Sequence, residues 1–216
     1  MIKLLTIIAG LLAISTIWAR YKGPQSLFFT VKPLTTLTMI GIALWGMLDS
    51  GTLTIAPWLI VAGLVFCLVG DIFIMLGEKT FIYGLVGFAL AHVLFILALV
   101  IITELRFTWW LFLIFAVIGF AVAAFLLPYT GKLKIPVSVY MVLIVLMIWL
   151  SFQRFYVGFD FASAFMALGT ILFGVSDTTL AINKFKGKFK SAELIILGTY
   201  YPAIWCIAYS LYWASI

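Results

Sequence analysis

The sequence predicts an all-α membrane protein, a polytopic transmembrane helical bundle of about eight spans. Of its 216 residues, 66% are hydrophobic and only 9% are charged, and the mean hydropathy is +1.30. A water-soluble domain cannot bury so large an apolar fraction, so the solvent around the chain has to be lipid. Aromatic residues make up 17% of the chain, and the Trp and Tyr among them favour the membrane interfaces where helices end.

Apolar runs of spanning length, separated by charged or turn residues, follow one another along the chain. Each is near the length of ~20 residues that crosses ~30 Å of hydrocarbon as a helix. The first run follows Lys3 as in a signal peptide, but the residues before Arg20 lack a small-residue cleavage site, so we interpret the run as a span. We predict a single integral membrane domain over 1–216, with spans at about 4–19, 33–48, 55–76, 81–103, 108–127, 136–152, 159–182 and 192–214.

The basic residues fall mainly on one side of the predicted bundle. Eight spans place Lys3, Arg106 and Arg154 on one side. The positive-inside rule then puts the odd-numbered loops in the cytoplasm and both termini outside, and the short loops suit a bacterial cytoplasmic membrane. The other ten of the 13 basic residues lie on the cytoplasmic side in this interpretation: Arg20, Lys22, Lys32, Lys79, Lys132, Lys134, Lys184, Lys186, Lys188 and Lys190.

Several classes of site are excluded by composition. The two cysteines, Cys67 and Cys206, lie within apolar runs and form neither a disulfide framework nor a CxxC metal motif. His92 is the single histidine of the chain, which excludes a multi-histidine metal centre, and we expect no cofactor. The basic residues are distributed by topology rather than gathered on one face, so nucleic acid is not an expected partner.

The two halves of the chain share a weak internal pattern. Lys32-Pro33 opens the second predicted span and Pro136 the sixth, while Asp71 ends the third and Asp177 the seventh. The paired positions lie about 105 residues apart, close to half of the chain. This pattern is typical of a four-plus-four parallel repeat about an axis along the membrane normal, although chance similarity between apolar helices gives the same pattern.

Asp71 and Asp177 are the strongest candidates for chemistry. An acidic residue within a span costs roughly 2.5–3.5 kcal/mol on insertion scales, so each needs a partner or a function. Small and polar residues recur at three- and four-residue steps along the span of Asp177, which predicts that this side chain faces other helices. The glycines at 63, 70 and 77 predict the same for Asp71. Two nearby carboxyls can divide acid and base roles, and an interhelical bond that specifies packing is the alternative. The acidic residues at span ends are interpreted as solvated: Asp49, Glu78, Glu104, Asp160 and Glu193.

Four other polar residues are candidates for the same cytoplasmic half of the bundle. His92 lies about eleven residues into the fourth span, near the bilayer middle, where it either forms an interhelical hydrogen bond or orients a substrate or relays a proton. Lys32 and Tyr200 can hold a carboxylate or bind a lipid headgroup, and Ser176 stands beside Asp177.

The loop from Lys184 to Lys190 alternates lysine with phenylalanine or glycine. Phenylalanines there can enter the headgroup region while the lysines meet anionic lipid. The segment is therefore either a topology anchor or a specific lipid site.

The motifs together resemble the YhhN-type lysoplasmalogenase family in order, spacing and span number over essentially the whole chain. A tyrosine often follows the histidine by three residues in that family, where this chain has Phe95, and the difference affects only a hydroxyl near His92. The motifs are Lys32-Pro33, Gly70-Asp71-Ile72-Phe73-Ile74-Met75, Phe88-Ala89-Leu90-Ala91-His92, Phe173-Gly174-Val175-Ser176-Asp177 and Thr199-Tyr200-Tyr201.

The resemblance implies an integral membrane hydrolase that cleaves the vinyl ether bond of lysoplasmalogens to a fatty aldehyde and glycerophospho-ethanolamine or glycerophospho-choline. It also implies catalytic roles for Asp71 and Asp177 and supporting roles for Lys32, His92 and Tyr200. Vinyl ether hydrolysis needs a proton donor and a group that activates water, which two carboxyls can supply without a metal. The lysophospholipid is expected to enter from the inner leaflet, with Lys32 as the candidate for its phosphate.

Two other functions fit the same residues. Buried acids and a parallel repeat also suit a proton-coupled transporter or flippase of a small lipid or amphiphile. A membrane scaffold in which the aspartates only lock helices together is the other alternative.

Overall fold

A computed structural model of the chain describes residues 1–103 and 108–214 and consists, over those residues, of helices and connecting turns. Eight of the helices are long and apolar enough to cross a membrane, which confirms the predicted fold class. Glu104, interpreted above as a solvated acid, and Arg106 lie outside the described residues. The helices are α1 (Ile2–Tyr21), α2 (Gln25–Ser50), α3 (Ile55–Met75), α4 (Phe81–Ile102), α5 (Trp109–Leu126), α6 (Lys134–Gly158), α7 (Phe161–Ala181) and α8 (Ala192–Ser210).

The second helix begins eight residues earlier than the sequence predicts. Pro33 was expected to open it, but α2 starts at Gln25, directly after Pro24, and runs through Pro33. Proline is enriched at helix starts, and that tendency is the basis of the wrong prediction. A proline within a membrane helix is tolerated because neighbouring groups satisfy the backbone that it disrupts. As a consequence, Lys32 lies inside the helix and is buried rather than standing at its entrance.

Glycines bring α3 and α4 into close contact beside Asp71. A Cβ on Gly87 would lie 2.9 Å from the backbone nitrogen of Gly70, and a Cβ on Gly70 would lie 2.8 Å from the Phe88 ring. Backbones approach this closely in membranes where small residues line both helices. Gly77 was expected on the same face, but it lies in the turn after α3 with φ +119°.

The two halves of the bundle use corresponding helix pairs. Within each half the first helix packs on the second, the second on the third and the third on the fourth. Across the halves, α2 packs on α8 and α6 packs on α4. In both cases the second helix of one half packs on the fourth helix of the other. This arrangement fits a two-fold relation about the membrane normal and puts Asp71 and Asp177 at equivalent positions.

The first and fifth helices break this correspondence. α1 also packs on α8, where the Trp205 indole donates a hydrogen bond of 3.2 Å to Thr6 and Arg20 pairs with Glu193 at 2.7 Å. α5 packs on α6 and on the π-helical turn Ile182–Lys186 that extends α7.

Candidate functional site

Asp71 is held by three donors from two other helices. The Lys32 ammonium lies 3.2 Å from Oδ1, while the hydroxyls of Thr36 and Tyr200 each donate a hydrogen bond of 2.7 Å to Oδ2. Lys32 and Thr36 are one turn apart on α2 and so share a face of that helix. Both carboxylate oxygens have donors, and a charge of opposite sign accompanies the carboxylate into the core.

Asp177 has a different set of neighbours. The Tyr140 hydroxyl of α6 donates a hydrogen bond of 2.5 Å to Oδ2, and His92 Nε2 of α4 lies 3.5 Å from the same oxygen. Within residues 1–103 and 108–214, no lysine or arginine pairs with this carboxyl. Asp177 is 6% exposed, so its charge state is governed by the protein rather than by bulk water.

His92 is oriented by its own helix. Its Nδ1 lies 2.6 Å from the Phe88 carbonyl oxygen, and since a carbonyl only accepts, Nδ1 carries the hydrogen. In the neutral ring, Nε2 then presents a lone pair towards Asp177. Nε2 is buried and has no hydrogen-bond partner in the described part of the chain. Of the two alternatives for His92, the geometry favours a group that faces the acid over a simple interhelical hydrogen bond.

Two phenylalanine rings link the carboxyl sets. Phe88 lies edge-on to Tyr200 with ring centroids 5.8 Å apart, and Phe173 lies edge-on to His92 at 4.9 Å. The two phenylalanine centroids are 6.0 Å apart, and both rings are buried. The acids therefore belong to one aromatic core, in which each is held by its own partners.

The partners of the two acids follow the internal repeat. Each acid accepts from a hydroxyl on the preceding helix of its own half, and each also faces the fourth helix of the other half. Thr36 and Tyr140 are 104 residues apart, close to the spacing of the repeat, whereas the Lys32 ammonium has no counterpart beside Asp177 in the described residues. The repeat therefore supplies equivalent carboxyls but only one accompanying cation.

A small cavity opens beside Asp177. It offers about 30 Å³ in which the centre of a water-sized molecule can lie, and Asp177, Tyr140 and Phe88 are among its lining residues. A single water needs about 10–15 Å³ by this measure, so the cavity holds one or two. Apart from Thr178 the rest of the lining is apolar, and in the part of the chain that the structure describes Asp71 does not contribute to it.

The cavity adjoins an apolar groove between α5, α6 and α7, and the two share part of their lining. This groove has a volume of about 300 Å³, at the lower end of the range for small-molecule sites. Val122, Met141, Ile144 and Thr178 line both spaces. The groove lies between α5 and α7, and it opens to the lipid-facing surface, because Ile118 and Val175 in its lining are exposed.

The remaining predicted residue lies on a different face. The Ser176 hydroxyl donates a hydrogen bond of 3.1 Å to the Ile196 carbonyl of α8, which is a contact between helices. Its role towards a substrate stays a prediction. Thr36 and Tyr140 were not predicted from the sequence, although Thr36 follows Lys32 by one helical turn and Tyr140 is the counterpart of Thr36 in the repeat.

The chain was compared with known families and proteins. The model of the YhhN family matches residues 27–211. The chain belongs to the YhhN family. The match includes both acids and every side chain described above as holding them.

Two kinds of relative illustrate the similarity. The membrane protein YhhN of Escherichia coli is 24% identical over 196 residues, which cover 90% of this chain and 91% of that protein. Lysoplasmalogenase TMEM86A of Bos taurus is 33% identical over 156 residues, which cover 70% of this chain and 64% of that protein. No solved structure matches.

Proposed function

We propose that this YhhN family member is a lysoplasmalogenase-like hydrolase that cleaves the vinyl ether bond of a lysoplasmalogen to a fatty aldehyde and a glycerophospho-alcohol. The observation that carries the proposal is a buried carboxyl, Asp177, without a cationic partner in the described residues, beside a small cavity that adjoins a lipid-facing groove. The similarity to a mammalian protein named as a lysoplasmalogenase supports the same reaction.

The charges in the core support a protonated Asp177 in the resting protein. Lys32 and Asp71 neutralise one another, so a second ionised carboxyl leaves the core with an uncompensated negative charge. Such a charge is costly in a low-dielectric interior, and a proton on the carboxyl removes it. Because Oδ2 accepts the Tyr140 hydrogen bond, we place the proton on Oδ1.

In the reaction that we propose, Asp177 gives this proton to the alkene carbon that lies one bond further from the ether oxygen. The other alkene carbon becomes an oxocarbenium ion, as in glycoside hydrolysis. The Asp177 carboxylate then takes a proton from a water molecule as the water oxygen bonds to the cation, which forms a hemiacetal and restores the acid. Collapse of the hemiacetal transfers its hydroxyl proton to the ether oxygen and breaks the carbon–oxygen bond, releasing the aldehyde and the glycerophospho-alcohol.

Tyr140 and His92 assist Asp177 in this scheme. The Tyr140 hydroxyl stabilises the carboxylate that exists between the two proton transfers, because a hydrogen bond to an ionised group is stronger than one to a neutral group. The His92 lone pair can accept a hydrogen bond from the incoming water. Neither group requires a metal or a cofactor to act.

In this proposal Asp71 does not contact the substrate. The sequence left open which aspartate is the acid and which is the base. Because the cavity lies beside Asp177, we assign both the acid role and the base role to Asp177. Asp71 and Lys32 then form a buried dipole that fixes Tyr200 and the adjoining rings. We further propose that the headgroup faces the basic loops and that the active site serves the cytoplasmic leaflet, in accordance with the positive-inside rule.

Purified protein in a neutral detergent tests the proposal. Wild-type protein is expected to release aldehyde from a lysoplasmalogen without any ion gradient, and Asp177→Asn is expected to lower kcat by at least about 10³-fold while remaining folded. Asp49→Asn, which alters an exposed acid at the end of α2, is the matched control and retains full activity. Near-normal turnover by Asp177→Asn refutes the catalytic assignment, and lipid flux into sealed vesicles without aldehyde release supports the carrier instead.

A further inference from the structure

The groove begins beside the threonines that follow Asp177 on α7 and runs towards the middle of the bilayer. Along α7 it is lined from Thr178 to Ile171, and α6 and α5 line it over a similar depth, to Ile148 and Phe115. Seven helical residues span about 10 Å, so the groove is an elongated space along the membrane normal. Its lining is apolar apart from two threonines on α7, which suits a hydrocarbon chain.

A lysine stands at the other end of the path, above the cavity. The Lys186 ammonium lies 3.6 Å from the ring centroid of Phe125, at the end of α5, and 5.5 Å from that of Tyr129. Its neighbour in sequence, Phe185, lines the cavity beside Asp177. The cation is thus held over aromatic rings at and just after the end of α5, next in sequence to a residue of the cavity lining.

Lys186 differs from Lys184 and Lys188 of the same loop in its partners. Lys184 lies 3.6 Å and Lys188 3.9 Å from the Glu78 carboxylate, whereas no carboxylate among residues 1–103 and 108–214 pairs with Lys186. The π-helical turn Ile182–Lys186 sets the position of this side chain, and such turns are frequent at functional sites. A free cation held by aromatic rings is suited to bind a phosphate.

The order of groups along the path matches a single-chain phospholipid. A cation comes first, an acid beside a small cavity comes next, and an apolar groove follows. Lys186 is nine residues after Asp177, about 13 Å along an α-helical axis, and a helical side chain leans back towards the N-terminus, which brings the ammonium nearer to the acid. The glycerol backbone places the phosphate a few bonds from the vinyl ether, so one molecule can contact all three groups.

We infer that the groove between α5, α6 and α7 holds the hydrocarbon chain of a single-chain phospholipid whose phosphate binds Lys186. The inference rests on the proposed function and deepens it by assigning the headgroup and chain sites. It replaces Lys32 as the phosphate ligand, because the Lys32 ammonium is buried against Asp71. The positive loop then acts as a specific lipid site at Lys186 in addition to any role as a topology anchor.

The headgroup assignment is tested by kinetics and by binding. Lys186→Gln is expected to raise KM for lysoplasmalogen about tenfold with kcat within about twofold, and Lys186→Arg to stay near wild type. Lys188→Gln, in the same loop and 85% exposed at the side chain, is the control for general surface charge and changes neither constant. An alkenyl glycerol that lacks the phosphate is expected to show no dependence on residue 186.

A chain-length series tests the groove. Ile171→Trp fills its deep end and is expected to lower kcat/KM for a hexadecenyl chain about tenfold, while a short octenyl chain keeps its wild-type value. Leu97→Trp adds the same bulk to a lipid-facing position of α4, 46% exposed, and leaves both values unchanged.

Binding of a saturated alkyl lysophosphoethanolamine, which cannot be hydrolysed, separates the two proposals. If this probe binds with the expected dependence on Lys186 but no lysoplasmalogen is cleaved, the lipid site stands and the proposed reaction fails. If cleavage proceeds but Lys186→Gln behaves like Lys188→Gln and Ile171→Trp leaves chain preference unchanged, the lipid site is overturned while the reaction stands.

Discussion

Replacement of Lys32 by methionine tests the buried ion pair on which the charge balance of the core depends. The side chains of Lys32 and Asp71 are 8% and 2% exposed, and the ammonium lies 3.2 Å from Oδ1. Removing one partner of a buried pair costs about 3–5 kcal/mol because the other charge is left uncompensated. For a chain of this size, each kcal/mol lowers Tm by about 2–4 °C, so Lys32→Met is expected to lower Tm by roughly 10 °C.

The two buried cysteines allow Tm to be measured by thiol labelling. Cys67 and Cys206 are free and buried, so a thiol-reactive fluorescent dye labels them when the bundle unfolds. Arg20→Met is the matched control, because it removes a pair of 2.7 Å between side chains that are 45% and 32% exposed. Exposed pairs contribute about 0–1 kcal/mol, so the control is expected to shift Tm by at most a few degrees.

A second replacement distinguishes lost charge balance from lost packing. Lys32→Met combined with Asp71→Asn removes both charges and leaves an amide oxygen to accept from Thr36 and Tyr200, so most of the lost Tm is expected to return. The reasoning is refuted if Lys32→Met shifts Tm no more than Arg20→Met does, or if the double variant melts below the single one.

Two further predictions concern the acid and its aromatic surroundings. Tyr140→Phe removes the hydroxyl on Asp177 and is expected to lower kcat about 10- to 100-fold with KM little changed, as steady-state kinetics will show; an unaltered kcat contradicts the role given to this hydroxyl. Gly70→Ala brings a Cβ to 2.8 Å from the Phe88 ring and is expected to cost about 1–3 kcal/mol, whereas Gly10→Ala, whose Cβ meets nothing within 4 Å, leaves Tm unchanged in the same dye assay. Equal melting of the two alanine variants argues against close packing at Gly70.

The sequence was sufficient to predict the fold class and to predict that the two acids are buried within the bundle. Hydropathy and charge separate membrane spans clearly, because few residue types are tolerated in lipid. An ionisable residue within a span stands out for the same reason, and Asp71 and Asp177 are both buried within the bundle as expected.

The partners of the acids were harder to predict. Threonine and tyrosine are common in membrane helices, and nothing in the local sequence shows which hydroxyl reaches a carboxylate on another helix. Thr36 and Tyr140 are identified only once the packing of α2 on α3 and of α6 on α7 is known. Lys32 was assigned to the helix entrance because Pro33 resembles a start signal, and the actual start follows Pro24.

The groove also left no pattern in the sequence. α5 is apolar around its whole circumference, so its composition does not distinguish the face that packs on α6 from the face that borders the groove. α1 and α5 pack differently on otherwise corresponding halves, and such a difference arises from tertiary contacts rather than from local propensity.

Hydrolysis in heavy water tests most directly the claim that a buried acid protonates the alkene. We predict that the aldehyde, reduced as it forms to prevent later exchange, carries one deuterium on the carbon next to the former carbonyl, and that Asp177→Asn yields no labelled product above background. Aldehyde from the wild-type protein without deuterium at that carbon would show that the bond is broken without alkene protonation and would contradict the account.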